Sequence, residues 1–411
     1  MAKTSMTPKD WMRKGLEEHG EDLLREMVAV FCQALMHADV ESLCGAPYGA
    51  RSPERVNQRN GYRPRVWDTR VGTLELAIPK LREGSYFPGW LIEPRRRAER
   101  ALVSVVAECY VRGVSTRRVE GLVQTLGIER LSKSQVSEMA KSLDEMVEDF
   151  RHRPLEGAYP FVWLDALVLK SREGGRVVNV ALVLAVGVNE DGKREILGVD
   201  VVTTEDGAGW LTFLRSLVSR GLRGVASVTS DAHPGLKDAI AATLPGASWQ
   251  RCRTHFMTNL LTRVPKATQS AVATLVRSIF LQPDPEAVWS QHEQVTAQLH
   301  ERFPHAAQLL EEAAEEVLAF TAFPKAVWTQ IWSNNPQERL NKEIRRRTDV
   351  VGIFPNREAI LRLVGAVLAE QNDEWAIARR YMSLGAITTV CSTMEPKAAL
   401  AAKEVQLAVT A

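Results

Sequence analysis

Cysteine is scarce and follows no pairing pattern: Cys32, Cys44, Cys109, Cys252 and Cys391 are scattered along 411 residues. An odd, dispersed set in a chain large enough to build its own core excludes a disulfide scaffold and points to a reducing compartment. Long apolar runs are also missing. The longest, Val177 to Val188, is interrupted by Asn179 and falls far short of the roughly 20 residues that span a bilayer. The opening stretch MAKTSMTPKDWMRKGLEEHG has no apolar segment of the secretory kind. Neither secretion nor membrane insertion is therefore expected, and the cytoplasm is the expected location. Charge of one sign is not in excess either. With 52 Lys+Arg against 50 Asp+Glu and a net charge of +2, any nucleic-acid contact has to come from local patches. Hydrophobic residues at 45% and charged residues at 25% exclude disorder, and the length suits two to four structural units.

From Asp10 to about Leu43, the spacing of Leu23, Met27, Val30, Phe31, Ala34 and Leu35 predicts an amphipathic helix. Residues 1–50 thus read as a helical lead segment suited to packing or dimerisation. Residues 51–100 read as a small basic β-rich module, with a turn signal at Asn60-Gly61 and strand-like alternation from Gly72 to Ile78. This stretch holds 12 Lys+Arg against 6 Asp+Glu, a larger excess than that of the whole chain. It would attract a phosphate backbone, although a solvated basic surface has the same composition. Within 101–150, Ser115 can cap a helix with Val119, Leu122, Val123 and Leu126 inward. Gly127 ends it, and Ser132 caps a second helix with Val136, Met139, Ala140 and Leu143 inward. Two short helices around a glycine form a helix-turn-helix. There Lys133, Ser134, Gln135 and Ser137 would reach a DNA groove while Arg117 and Arg118 meet phosphate. An ordinary helical hairpin has the same pattern.

The character changes at Tyr159. Runs Phe161 to Leu169, Val177 to Val188 and Glu195 to Val202, separated by Gly174-Gly175 and Asp191-Gly192, predict an antiparallel meander. A helix through Trp210, Phe213, Leu214, Leu217 and Val218 follows, then a strand from Val225 to Thr229, a helix from Pro234 to Thr243, and a strand from Ala247 to Cys252. This order is that of a ribonuclease-H-like fold, in which the first strand lies beside the fourth. Asp165 interrupts the apolar run FVWLDALVL, and a carboxylate inside a central strand is costly unless paired or metal-bound. Asp231 ends the fourth strand, where it could equally cap the helix opening at Pro234. Two such carboxylates with a third from a helix can hold two Mg²⁺ ions about 4 Å apart for phosphodiester chemistry.

Residues 256–331 predict helices only, and Asn335-Pro336 starts a further helix with Glu338 in its first turn. Glu338 could close a capping box with Asn335. Glu343 shares that helix, but five residues at about 100° each turn it about 140° away, so only one of the two can face a metal site. Arg345, Arg346 and Arg347 read either as a solvated helix face or as a clamp on DNA.

Taken together, RNGYRPR with VGTLELAIPK, RGVSTRRVEGLVQTLGI, FVWLDAL, SDAHPGLKDAI, WQRCRTHF and NPQERLNKEIRRRTDVVGIFPN make the chain resemble the mutator-type transposases of bacterial insertion sequences over residues 7–385. The resemblance implies an Asp-Asp-Glu triad of Asp165, Asp231 and Glu338 that binds Mg²⁺, with Mn²⁺ as a substitute. It also implies a multidomain α+β chain: lead segment 1–50, β module 51–100, helix-turn-helix 101–150, catalytic core 155–255 and 332–385 around an all-helical insertion 256–331, and a tail 386–411. Cys252 and His255 are a Cys-x-x-His pair shared with these transposases, and without a second pair nearby they suit an active-site-shaping role over zinc. The implied activity is binding of terminal inverted repeats, cleavage of element ends and joining of the 3′-hydroxyl to target DNA, by a homodimer or higher oligomer on DNA near the bacterial nucleoid. A structure-specific nuclease of the same fold and a catalytically dead DNA-binding regulator are the alternatives.

Overall fold

A computed structural model describes residues 23–69, 71–92, 100–111, 114, 118–119, 123–124, 128, 139–203 and 206–392. The chain divides into two compact units, one ending at Ser142 and the other beginning at Leu143.

In the first unit, helix α1 (Leu23–Cys44) covers a hairpin of β1 (Arg59–Thr69) and β2 (Gly72–Leu81). Alternation in β2 buries Leu74, Leu76 and Ile78 against Cys32, Met36, Val40 and Cys44 of the helix. That helical face differs from the expected one: Val30, Phe31 and Leu35 are exposed. The helix has apolar residues on more than one side, and contact with the hairpin selects the stripe at four-residue intervals. By length and composition alone, the helix Leu24–Cys44 is long and apolar enough to cross a membrane. The Asn60-Gly61 pair is not the hairpin turn. It lies inside β1 at a register shift between Arg59 and Tyr62, with Gly61 at φ 77°, so the turn-forming dipeptide makes a bulge. Helix α2 (Arg100–Val111) contributes Leu102 and Val106 to a small core with Val119, Val123 and Ile128. Most of the expected helix-turn-helix, including Arg117, Lys133, Ser134, Gln135 and Ser137, lies outside the described residues.

The second unit opens with helix α3 (Asp144–His152), earlier than the expected start near residue 155. Asp144 accepts both 2.6 and 2.9 Å hydrogen bonds from Arg362, and Arg151 pairs with Asp200, which ties this helix to the unit that follows. Strands β3 (Phe161–Glu173), β4 (Arg176–Val188) and β5 (Arg194–Val202) form the antiparallel meander. Helix α4 (Gly207–Ser219), β6 (Ser227–Ser230), helix α5 (Pro234–Thr243) and β7 (Ser248–Arg251) follow. The sheet order is β5-β4-β3-β6-β7, with β3 parallel to β6 and β6 parallel to β7. The first strand of the meander therefore lies beside the fourth strand, as expected. Trp210, Phe213, Leu214 and Leu217 of α4 and Leu236 and Ile240 of α5 pack with Val162, Leu164, Val183 and Leu197 of the sheet. Val218, expected inward, is exposed.

From Arg253 to Ile331 the chain is built of helices and 3-10 turns without a strand. Helix α6 (Arg253–Thr262) begins it, and helix α7 (Asn335–Val351) succeeds it. A two-residue strand β8 (Ile353–Phe354) then returns to pair with β3, and helix α8 (Arg357–Ile377) lies against α3 and β5. The protein is thus a mixed α+β structure with a mixed sheet and many helices.

Candidate active site

Beyond the meander, β3 is paired unevenly. On the edge away from β4 it meets β6 at Phe161 to Trp163 and β8 at Lys170 to Ser171, and has no strand partner between them among the described residues. Side-chain amides at the start of α7 bind the sheet backbone beside this gap. Asn334 Nδ2 donates to Leu164 O at 3.1 Å, and Gln337 Nε2 donates to Trp163 O at 2.9 Å. Both side chains are fully buried, because backbone carbonyls left unpaired inside a protein are costly and amides satisfy them. The first turn of α7 is thereby set beside Asp165.

Glu338 stands in that turn, and its helical successors at three, four and seven residues are Asn341, Lys342 and Arg345. These four, with Asp165, Ala166, Leu167 and His255, line one cavity of about 320 Å³. The cavity has carboxylates from a strand and a helix, and two cations on its rim. Lys342 and Arg345 are exposed and have no ion pair among the described residues. Sequence reasoning missed Asn341 and Lys342, though the helical period counted from Glu338 would have found both.

Asp165 is half-buried. Its Oδ1 accepts from the Ala166 N–H at 3.0 Å and its Oδ2 from Asn341 Nδ2 at 2.6 Å. Burial pushes its pKa up, while the Asn341 hydrogen bond and His255 oppose that shift. Asp231 follows directly on β6. It does not cap α5, whose cap position is His233 without a side-chain bond; its Oδ1 accepts instead from Ala232 N–H at 2.7 Å. His255 Nδ1 is 3.9 Å from Asp231 Oδ1, and His255 lines the same cavity as Asp165. Hydrogen bonding with Cys252 first, and the charges of Asp231 and Asp165 with it, raise the His255 pKa to about 9 against the effect of burial. Cys252 itself is buried, and its Sγ accepts from the Asn334 N–H at 3.3 Å. The Cys-x-x-His pair therefore joins β7 to the start of α7 on one side and faces the aspartates on the other.

Glu338 takes no part in a capping box. The cap position of α7 is Asn334, which makes no side-chain cap bond, and its Nδ2 donates to β3. The three arginines separate. Arg345 lines the Asp165 cavity, whereas Arg346 donates to Glu343 at 2.9 and 3.0 Å and Arg347, nearly buried, also pairs with Glu343. Arg118, in the first unit, is exposed.

Similarity in sequence to known proteins bears on this arrangement. The profile of the family described as Transposase, Mutator family, matches residues 3–378. The transposase of insertion sequence element IS1081 from Mycobacterium tuberculosis is 60% identical over 386 residues, covering 93% of each chain. The transposase of ISRM5 from Rhizobium meliloti is 39% identical, covering 88% of this chain and 91% of that one. The transposase of IS256 in transposon Tn4001 from Staphylococcus aureus is 37% identical, covering 86% and 91%. A profile that matches nearly the whole chain, with relatives so similar over so much of their own length, settles the family: the chain belongs to the Mutator family of transposases.

Proposed function

We propose that this DNA transposase cleaves the ends of its element and joins them to target DNA with Asp165, Asp231 and Glu338 as an acidic triad on a ribonuclease-H-like core. The observation that carries the reading is the single cavity shared by Asp165 from the central strand and Glu338 from α7, with Asp231 3.9 Å from His255 of the same cavity. The strand order and the parallel β3–β6 pair support the fold assignment.

Carboxylate oxygens are hard donors and suit Mg²⁺, or Mn²⁺ in its place. Among the described residues no three His, Cys, Asp or Glu side chains are grouped closely enough to hold a metal ion, while Asp165 and Glu338 line one cavity. The fit is otherwise one of chemistry: oxygen ligands on a strand, a strand end and a helix, in a cavity with a buried polar atom, Asn341 Oδ1, that lacks a partner. When bound, the metal supplies an activated oxygen nucleophile and stabilisation of the leaving oxygen in phosphoryl transfer. The chain's own residues orient the strand. Arg345 neutralises a phosphate at the rim, His255 sets a cationic imidazole beside Asp231, and Asn334 with Gln337 keeps α7 in register with β3. The N-terminal residues, with their basic excess over 51–100 and Arg117, Arg118, Lys133, Ser134, Gln135 and Ser137, bind the terminal inverted repeats, and two ends are held together by at least a dimer.

The test is Asp165→Asn in a purified full-length chain, assayed for binding and for Mg²⁺-dependent cleavage of DNA carrying the element's ends. Binding retained and cleavage lost is expected. Cleavage at the wild-type rate defeats the triad.

A further inference from the structure

Asn341 is the one neutral polar side chain on the cavity face of α7, and it makes the shortest hydrogen bond in the cavity. Its Nδ2 donates to Asp165 Oδ2 at 2.6 Å, joining residues 176 apart in sequence. The other oxygen of Asp165 is held by the Ala166 N–H at 3.0 Å. Each oxygen thus has one fixed donor, which sets the plane of the carboxylate and leaves its remaining lone pairs for the cavity. At the opposite end of the amide, Asn341 Oδ1 is buried without a hydrogen-bond partner, as are Asn334 Oδ1 and Gln337 Oε1, and of the three residues only Asn341 lines the cavity. A buried acceptor without a partner costs on the order of 1–3 kcal/mol, and such a cost is tolerated where a ligand or an ordered water completes it.

We infer that Asn341 is a positioning residue of the active site: its amide N–H fixes the carboxylate of Asp165, and its free carbonyl accepts from a water carried by the divalent ion that Asp165 holds. This rests on the triad reading above and extends it to the neighbour that orients the first acid. Outer partners of this kind hold a ligating group in the one rotamer that binds, and their loss costs about 10–100-fold in metal affinity. Lys342 and Arg345, on the same face, cannot replace it, since each would bring a positive charge to the ion.

Binding of Mn²⁺ alone to the full-length chain, followed by the loss of the free-ion electron paramagnetic resonance signal, reads this without catalysis. Asn341→Ala is expected to weaken Mn²⁺ binding about 10–100-fold while affinity for DNA at fixed salt is unchanged. Asn341→Leu, close in shape and without polar atoms, gives the same answer should the alanine variant fail to fold. Asp165→Asn, measured beside them, is expected to lose the site. A folded Asn341 variant with a wild-type Mn²⁺ isotherm, where Asp165→Asn has lost binding, overturns the inference alone. Should Asp165→Asn also bind as wild type, or the wild-type chain show no saturable site, the triad reading has failed and takes this inference with it.

Discussion

Glu338 and Glu343 stand five residues apart on one helix and serve different clefts. Glu338 lines the cavity of Asp165, Asn341 and Arg345, whereas Glu343 binds Arg346 and Arg347 and lines a second cleft with Glu370 and Glu374. The rotation of about 140° between them follows from the helical repeat alone. Which of the two faces β3 follows from the amides of Asn334 and Gln337 that set the helix on the strand.

Conservative amide substitutions should therefore have opposite consequences. Glu338→Gln is expected to leave the melting temperature within a degree or two and to abolish Mg²⁺-dependent cleavage, because Gln is a poor ligand for this ion. Glu343→Gln is expected to keep cleavage. A transposition assay in which Glu338→Gln is normal and Glu343→Gln is dead reverses the assignment.

The arginine triplet should divide in the same manner. Arg345→Ala removes a rim cation with no partner among the described residues, and should flatten the plot of log affinity for DNA against log salt by about one unit. Arg346→Ala removes a charge already neutralised by Glu343, so its slope should change distinctly less. Equal slopes for the two variants would count against this partition.

Stability should carry a small acid-sensitive component from Glu343. Hydrogen bonding from Arg346 first, and then Arg347, lowers its pKa from 4.5 to about 2. A carboxylate depressed in the folded state stabilises it above the unfolded pKa, and that contribution disappears as pH falls from about 4.5 toward 2. The side chain is 35% exposed, so solvent screening reduces the effect to about 0.5 kcal/mol. Urea melts at pH 7 and pH 3 should show a smaller loss for Glu343→Gln than for wild type, after correction for the other acids through an Asp349→Asn control.

A packing prediction concerns the attachment of α3. A Cβ built on Gly365 in α8 would lie 2.4 Å from Val147 Cγ1, closer than atoms can approach. Gly365→Ala should therefore destabilise the second unit by about 1–3 kcal/mol despite the higher helix propensity of alanine. Chemical denaturation checks this, and a stabilised variant would mean that the helix is free to move.

Local sequence determined much of this architecture. β-rich apolar runs separated by turn signals placed β3 through β7, and Asn335-Pro336 started α7, because strand, turn and helix-entry signals depend on residues a few positions apart. The same local signals could not choose between partners. Asn60-Gly61 suits a turn or a bulge, and only pairing of β1 with β2 made it a bulge. The apolar residues of α1 offer more than one face, and only the hairpin chose the stripe of Cys32, Met36 and Val40. At the site, Asp165 stood out as a carboxylate in an apolar strand. The gap in the edge of β3, the bond from Asn341 to Asp165, and the approach of His255 to Asp231 all join residues distant in sequence. Contacts of that kind arise only once the sheet has closed and α7 has docked on it, since burial and carbonyl pairing across the assembled core then decide which side chains can meet.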